Sequence, residues 1–457
     1  MLAFRERSRR SLSLGTRDLY GLNAFHRLRL KTAVENIQAL CELYQVVQEE
    51  ESLQEEAASI GEELVKEFTA VMEILVVDVP QFQPRERYPR QTFDSMKTEL
   101  ERLRVDCSAR FRFQSFDQLT RLVVGLRFPA GQILLKKGYR TTAEEIVLVS
   151  LSRLSFPCRW QDLYERFPGR TRQGLQIMFY YFLDFIINNW AYLLLNNMPY
   201  WLPHLPASAD AIRRKLQLLN HEEWRLYFPP GGFDYCCLID NTMVAFCRPG
   251  GVIDEGPAAQ RVPEELQEAW WSGWKKFHGM KWQTLIMANG MDLHVYGPES
   301  FRHNDLFTLA ESNILLDFQA LQAGQVRFLK IFGDSAYVDG PVMGTGGGRG
   351  MASVRETIEW SYKDLKSQWK YCDYRHVLQV RKQPVAKIVF VCMFLRNAYV
   401  TMNGGQVGEY LNMMSTTLEE WLAQGPEARP IPLNSCFHPA FRHGEADGNE
   451  SDEHLSD

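Results

Sequence analysis

The chain has 457 residues, of which 45% are hydrophobic and 23% charged, with a net charge of −5. That length admits two or three domains with cores of their own, and the balance is ordinary for a soluble globular protein. A net acidic chain has no global bias toward nucleic acid, so any such binding must be local.

The two ends depart from the average. The first residues, MLAFRERSRRSLSLGTR, hold five arginines against one acid, a basic arm suited to a polyanion or an import signal. The last, HGEADGNESDEHLSD, are acidic with one large apolar side chain, the composition of a disordered tail. Nine cysteines are scattered without a CxxC pair or zinc spacing, which suits a reducing compartment. No apolar leader with a small-residue cleavage site follows the start.

In chain order, residues 24–75 read as helices, with Ile37, Leu40, Tyr44 and Val47 at helical spacing and a glutamate-rich face from Glu49 to Glu63. Pro80, Pro84 and Pro89 then mark a linker. TTAEEIVLVSLSRLSF opens a second unit with a threonine cap and early acids. The short helix CRWQDLYERF ends at Pro168-Gly169, and RTRQGLQIMFYYFLDFI begins a third helix. That is helix-turn-helix spacing, whose recognition helix would present Arg170, Arg172 and Gln173 to DNA; a plain packing unit has the same pattern. The apolar run IMFYYFLDFIINNWAYLLL is broken by Asp184, Asn188 and Asn189, and reads as a buried helix rather than a membrane span.

From residue 233 the pattern changes. FDYCCLIDNTMVAF is a near-continuous apolar run, the mark of a strand buried on both faces. KWQTLIMANGMDLHVYG is two strands joined at Asn289-Gly290, FRHNDLFTLAESNILLDFQAL a capped helix, VRFLKIFGDSAY a further buried strand, and MASVRETIEWSYKDLKSQW a helix. Asp240 and Asp334 each follow an apolar run and so emerge at a strand end. A helical crossover after a three-strand meander brings the fourth strand in parallel to the first. If the two are neighbours, these aspartates stand side by side and call for a divalent ion with oxygen ligands, and the next helix supplies a third carboxylate. This arrangement is that of an RNase H-like α/β domain with a mixed five-stranded sheet, preceded by an all-α helix-turn-helix region. The expected boundaries are 1–90, 91–202, 203–412 and a tail at 413–457.

LIDNT, GWKKFHGMKWQTLIMANG, YGPESFRHND, FGDSAY and MASVRETIEWSYKDL, in that order, resemble the DDE endonuclease domain of PIF/Harbinger transposases over roughly residues 233 to 412. LSRLSFPCRWQDLYERF resembles the family's upstream helix-turn-helix. The resemblance implies a triad of Asp240, Asp334 and Glu359 holding two Mg²⁺ or Mn²⁺ ions, with Glu356 the rival for the third place. It implies cleavage at transposon terminal repeats and joining into target DNA by in-line displacement at phosphorus. It also implies a nuclear protein, reached with or without a partner, acting as a homo-oligomer on DNA with a Myb-like accessory protein. A domesticated relative that binds DNA without turnover is the alternative.

The glycine run Gly344–Gly350 lacks the Lys-Ser/Thr pair of a nucleotide-binding loop, so its expected role is to turn the chain until Glu359 faces the aspartates. Arg349 within it, and Lys275, Lys276 and Lys281 among the tryptophans of AWWSGWKKFHGMKW, are candidate phosphate contacts. Asn304 reads as a helix cap and Asp305 as an outer contact to the metal site.

Overall fold

The computed structural model describes residues 35–42, 44, 54–77 and 91–425, the last span with short gaps at 196, 220–223, 250–263, 324, 326, 347 and 381. The basic arm, the proline linker and the acidic end lie outside the described residues. The chain divides into two compact units, Met1–Tyr88 and Pro89–Asp457. In the first, residues 35–42 and α1 (Gln54–Val77) are helical, as the apolar spacing predicts.

The second unit begins with α2 (Phe93–Leu103), where Thr92 and Ser95 form a reciprocal capping box. After α3 (Cys107–Phe111) comes α4 (Phe116–Gly125), whose first turn is capped by Ser115. The three expected helices then follow in order: α5 (Ala143–Ser155), capped by Thr142; α6 (Trp160–Arg166); and α7 (Arg172–Trp190), capped by Thr171. Gly169 takes φ +81° in the turn before α7, a conformation glycine adopts without strain. This part is not purely helical, since a two-stranded ribbon pairs Ile133–Leu134 with Arg140–Thr141. Nor is it separate: α7 and α8 (Leu205–Leu218) pack against elements of the sheet region, and one core runs through both. The apolar run is buried helix as expected, with Phe182, Leu183, Ile186 and Trp190 inside, and the Trp190 indole N–H donates to the Leu126 carbonyl at 3.2 Å.

The sheet starts with β1 (Phe233–Phe246), followed by the short β2 (Trp271–Ser272), β3 (Phe277–Met287) and β4 (Asp292–Ser300). Helices α9 (Asp305–Glu311) and α10 (Ile314–Leu321) cross over to β5 (Phe328–Phe332) and the edge strand β6 (Met343–Gly344), and α11 (Arg349–Gln368) returns across β1. β1 is antiparallel to β3, which is antiparallel to β4; β1 is parallel to β5, and β5 to β6. The fold is thus mixed α/β, with six strands where five were expected; two-residue β2, on the start of β3, and two-residue β6, in the glycine run, are the strands that the apolar runs did not mark.

The chain beyond 412 also corrects an expectation. Residues 413–425 are described, and α13 (Leu418–Leu422) buries Leu418, Trp421 and Leu422 against α4 and α12 (Val385–Asn403). Among the described residues α12 is the one helix long and apolar enough to cross a membrane. It lies largely buried in this unit, where Arg396 pairs with Asp292 at 3.2 Å.

Candidate functional site

The parallel pairing of β1 with β5 sets the first half of the site. Leu238 is opposite Phe332, and the same offset carried two residues further aligns Asp240 with Asp334. The parallel pairing itself ends at Leu238 and Phe332, so Asp334 lies just past the end of β5. Asp240, expected at a strand end, lies instead within β1, which runs on to Phe246 against β3. The Asp334 charge still acts on the Asp240 carboxyl. Asp240 is held from three sides. Its Oδ1 accepts the Asn241 N–H at 2.7 Å; its carbonyl accepts from the Tyr362 hydroxyl at 2.8 Å; and that hydroxyl pairs at 2.9 Å with Thr284, the register partner of Asp240 on β3. Asp334 sits in a tight turn, its Oδ1 accepting the Ala336 N–H at 2.9 Å and its carbonyl the Tyr337 N–H at 3.2 Å. Tyr337 reaches back to Asn241, whose side-chain amide donates to its hydroxyl at 3.3 Å, tying the turn after β5 to the middle of β1.

Burial pushes the Asp240 carboxyl up to about 6, and the nearby charges of Asp334 and Asp305 add to the rise, while the Asn241 N–H and Arg355 oppose it. The Tyr337 hydroxyl is driven upward by burial first and then by Asp240, Asp305 and Asp334, and the Tyr362 hydroxyl by burial first and then by Asp240.

The second half comes from α11. Glu359 and Asp240 line one open groove of about 720 Å³, together with Asn241, Lys275, Lys363, Lys366 and Lys370. Glu359, Lys363 and Lys366 recur three or four residues apart, which places them on one face of α11, and Lys370 follows from the turn just beyond its end. On the other side of Glu359 a groove of about 390 Å³ is lined by Arg349, Arg355 and Glu356. Between the acids stands Arg355, its Nη1 3.8 Å from Asp240 Oδ2 and 3.5 Å from Glu359 Oε1.

Sequence reasoning did not single out Arg355. The signal is its position four residues before Glu359, since residues four apart on a helix are neighbours. Tyr362, Lys366 and Lys370 were likewise missed. Lys366 is partly buried, which lowers its amine pKa, and it donates to the Met243 carbonyl at 2.8 Å.

Among the described residues no three His, Cys, Asp or Glu side chains are gathered into a metal-ready set. The donors nevertheless suit a hard divalent ion. Asp240, Asp334 and Glu359 are oxygen donors, and Asn241 Oδ1 is buried with no hydrogen-bond partner beside them. Arg355 places positive charge where such an ion would sit.

Other expected contacts divide. Lys275, Lys276 and Arg349 are exposed, as are Arg172 and Gln173 at the start of α7. Two are corrected. Arg170 donates from Nε to the buried Glu145 at 2.7 Å and from Nη1 to the Arg140 carbonyl at 3.1 Å, so it locks the α5–α7 turn rather than facing DNA. Lys281 is buried, with Nζ 3.0 Å from Asp305 and 2.6 Å from the His303 carbonyl. It therefore anchors Asp305 beside the site and is not a phosphate contact. Asn304 caps α9 as expected, accepting from Phe307 N–H at 2.8 Å. The glycine run forms edge strand β6 and the N-terminus of α11, with Gly346 at φ +76°.

No family model, no curated protein and no solved structure matches this chain.

Proposed function

We propose that this chain is a DNA endonuclease and strand-transferase of the DDE transposase kind, built on an RNase H-like scaffold. The observation that carries the reading is Asp240 on β1 beside Asp334 just past the parallel strand β5, with Glu359 of α11 lining one groove with Asp240. Asp240, Asp334 and Glu359 would hold Mg²⁺ or Mn²⁺, which when bound supplies a nucleophile at neutral pH and charge neutralisation at phosphorus. The chain's own part is to seat the substrate. Lys275 and Lys363 offer positive charge along the groove, where Lys370 pairs with Asp373; Arg349 does so on the far side of Glu359, and Tyr362 fixes the strand that carries Asp240. Arg172 and Gln173 would contact duplex DNA from α7. A nuclear location, a homo-oligomer on DNA and a Myb-like accessory protein belong to the same reading.

The test is Mg²⁺- or Mn²⁺-dependent nicking of terminal-repeat DNA, lost in Asp334→Asn with folding unchanged. Equal cutting by both proteins would remove the acids from the mechanism.

A second reading is a domesticated, non-cleaving DNA-binding or scaffold protein. It is favoured by Arg355, which neutralises Asp240 and Glu359 without any metal. DNA binding that persists in EDTA, with no cleavage in either metal, would select it.

A further inference from the structure

The four tryptophans of AWWSGWKKFHGMKW have separate fates. Trp270 and Trp282 are core, 1% exposed each, and Trp270 packs on Phe246 with ring centroids 5.9 Å apart. Trp271 lies at the sheet edge against His278, with ring centroids 4.9 Å apart. Trp274 is 85% exposed. It stands at the tip of the β2–β3 hairpin, and the tip is well built. Ser272 Oγ accepts the Lys275 N–H at 3.0 Å, Ser272 O accepts the Lys276 N–H at 2.8 Å, and Lys276 closes the turn at φ +59°. The pairs Trp271–His278 and Ser272–Phe277 hold the hairpin to the sheet. A large apolar ring is thus presented to water on an anchored turn, between Gly273 and two exposed lysines.

Its neighbour Lys275 lines the groove that contains Asp240 and Glu359. The hairpin end of β3 at Phe277 lies seven residues along the strand, on the order of 24 Å, from Thr284 opposite Asp240. Lys363 and Lys366 of α11, and Lys370 paired to Asp373 just after it, line the same groove with Asp240 and Glu359, so the ring is one residue from a groove that mixes four lysines with three acids. An aromatic face beside lysines is the chemistry that binds unpaired bases: the lysines follow the phosphates and the ring stacks on a base, whereas the bases of an intact duplex are already stacked on one another. Charge complementarity therefore favours a nucleic-acid strand over an apolar protein partner here.

We infer that Trp274 is a stacking site for an unpaired base of single-stranded DNA that leaves the groove beside Lys275. This rests on the nucleic-acid reading above, and it narrows the substrate to DNA with a frayed, flapped or overhanging strand flanking the scissile phosphate.

The test uses the full chain in EDTA, so cleavage plays no part. Single-stranded oligonucleotides carrying 2-aminopurine at successive positions report stacking by loss of fluorescence, and anisotropy gives affinity for single-stranded and duplex forms. Wild type should quench the probe at one or two adjacent positions. Trp274→Ala should lose that quench and bind single strands about tenfold more weakly, with duplex affinity unchanged; Trp274→Phe should keep most of both. Lys275→Ala should weaken both forms. A quench and affinity that persist in Trp274→Ala overturn the inference while leaving the groove reading intact. No binding of either form overturns both. Tighter binding of RNA than of DNA overturns the DNA assignment, and loss of self-association rather than of DNA binding in Trp274→Ala makes the tip a protein contact.

Discussion

Arg355 Nη1 lies 3.8 Å from Asp240 Oδ2, a guanidinium of α11 set against the acid at the centre of the sheet. An arginine there neutralises a half-buried carboxylate that burial alone would penalise. Arg355→Gln removes that charge and should cost about 1–2 kcal/mol of stability in EDTA. Millimolar Mn²⁺ should return part of the loss, because an ion that binds the folded form adds stability by mass action. Thermal unfolding with and without Mn²⁺ checks both halves; a variant indifferent to the metal would show that Arg355 does not stand in for a cation.

The turn before α7 offers a separation of fold from binding. Glu145 is 1% exposed and accepts from Arg170 and from Thr141 Oγ1 at 2.7 Å. Glu145→Ala leaves a partly buried guanidinium with only the Arg140 carbonyl and should lower stability by about 2 kcal/mol. Arg172→Ala, at an exposed position, should leave the melting temperature unchanged. It should weaken duplex binding and reduce the salt slope by about one. Calorimetry and anisotropy across a salt series distinguish the two outcomes.

Acid sensitivity should arise in part from one histidine. His294 is fully inside β4, its Nδ1 has no hydrogen-bond partner, and burial lowers its pKa to about 4. Its folded value is depressed, so between about pH 6.5 and 4 the unfolded chain holds the extra proton. Stability is complete above that window and lost as pH falls through it, by roughly 2–3 kcal/mol in full. His294→Leu should flatten the profile of denaturant midpoint against pH; an unchanged slope would place the sensitivity elsewhere.

Gly344 is fixed by contact rather than by turn geometry. A Cβ there would fall 2.0 Å from the Tyr235 hydroxyl oxygen and 2.5 Å from its ring. Gly344→Ala should cost about 2 kcal/mol or more through overpacking, with partial recovery in the double variant with Tyr235→Phe. Recovery by Tyr235→Phe should be absent if the glycine is needed for backbone freedom alone.

The strand order was readable because three cues agreed. The apolar run before Asp240, the Asn289-Gly290 hairpin and the crossover before Asp334 each constrain one connection, and together they leave β1 beside β5. The helix caps at Thr142, Thr171 and Asn304 were local and equally plain. What stayed hidden depended on partners distant in the chain. Nothing near Lys281 announces that Asp305 takes its charge, and nothing near Arg170 announces that Glu145 does. The tryptophan cluster was ambiguous because composition does not say which rings a two-residue strand will lift out of the core. The buried tail at α13 was masked by the acidic residues that follow it.

The packing of α13 has a consequence for truncation. Arg121 on α4 binds Glu419 with two hydrogen bonds of 2.8 Å, and a side chain at Gly125 would meet Leu422 at 2.8 Å. Lys387 and Asp184 join α12 to α7 at 3.1 Å, and the Arg153 guanidinium reaches Tyr371 at 3.2 Å. A fragment holding only the acids and their sheet would bare apolar surface along every one of these seams. The sheet with its acids therefore depends on the helices around it, because one apolar core runs through both, and a fragment without them should not fold alone.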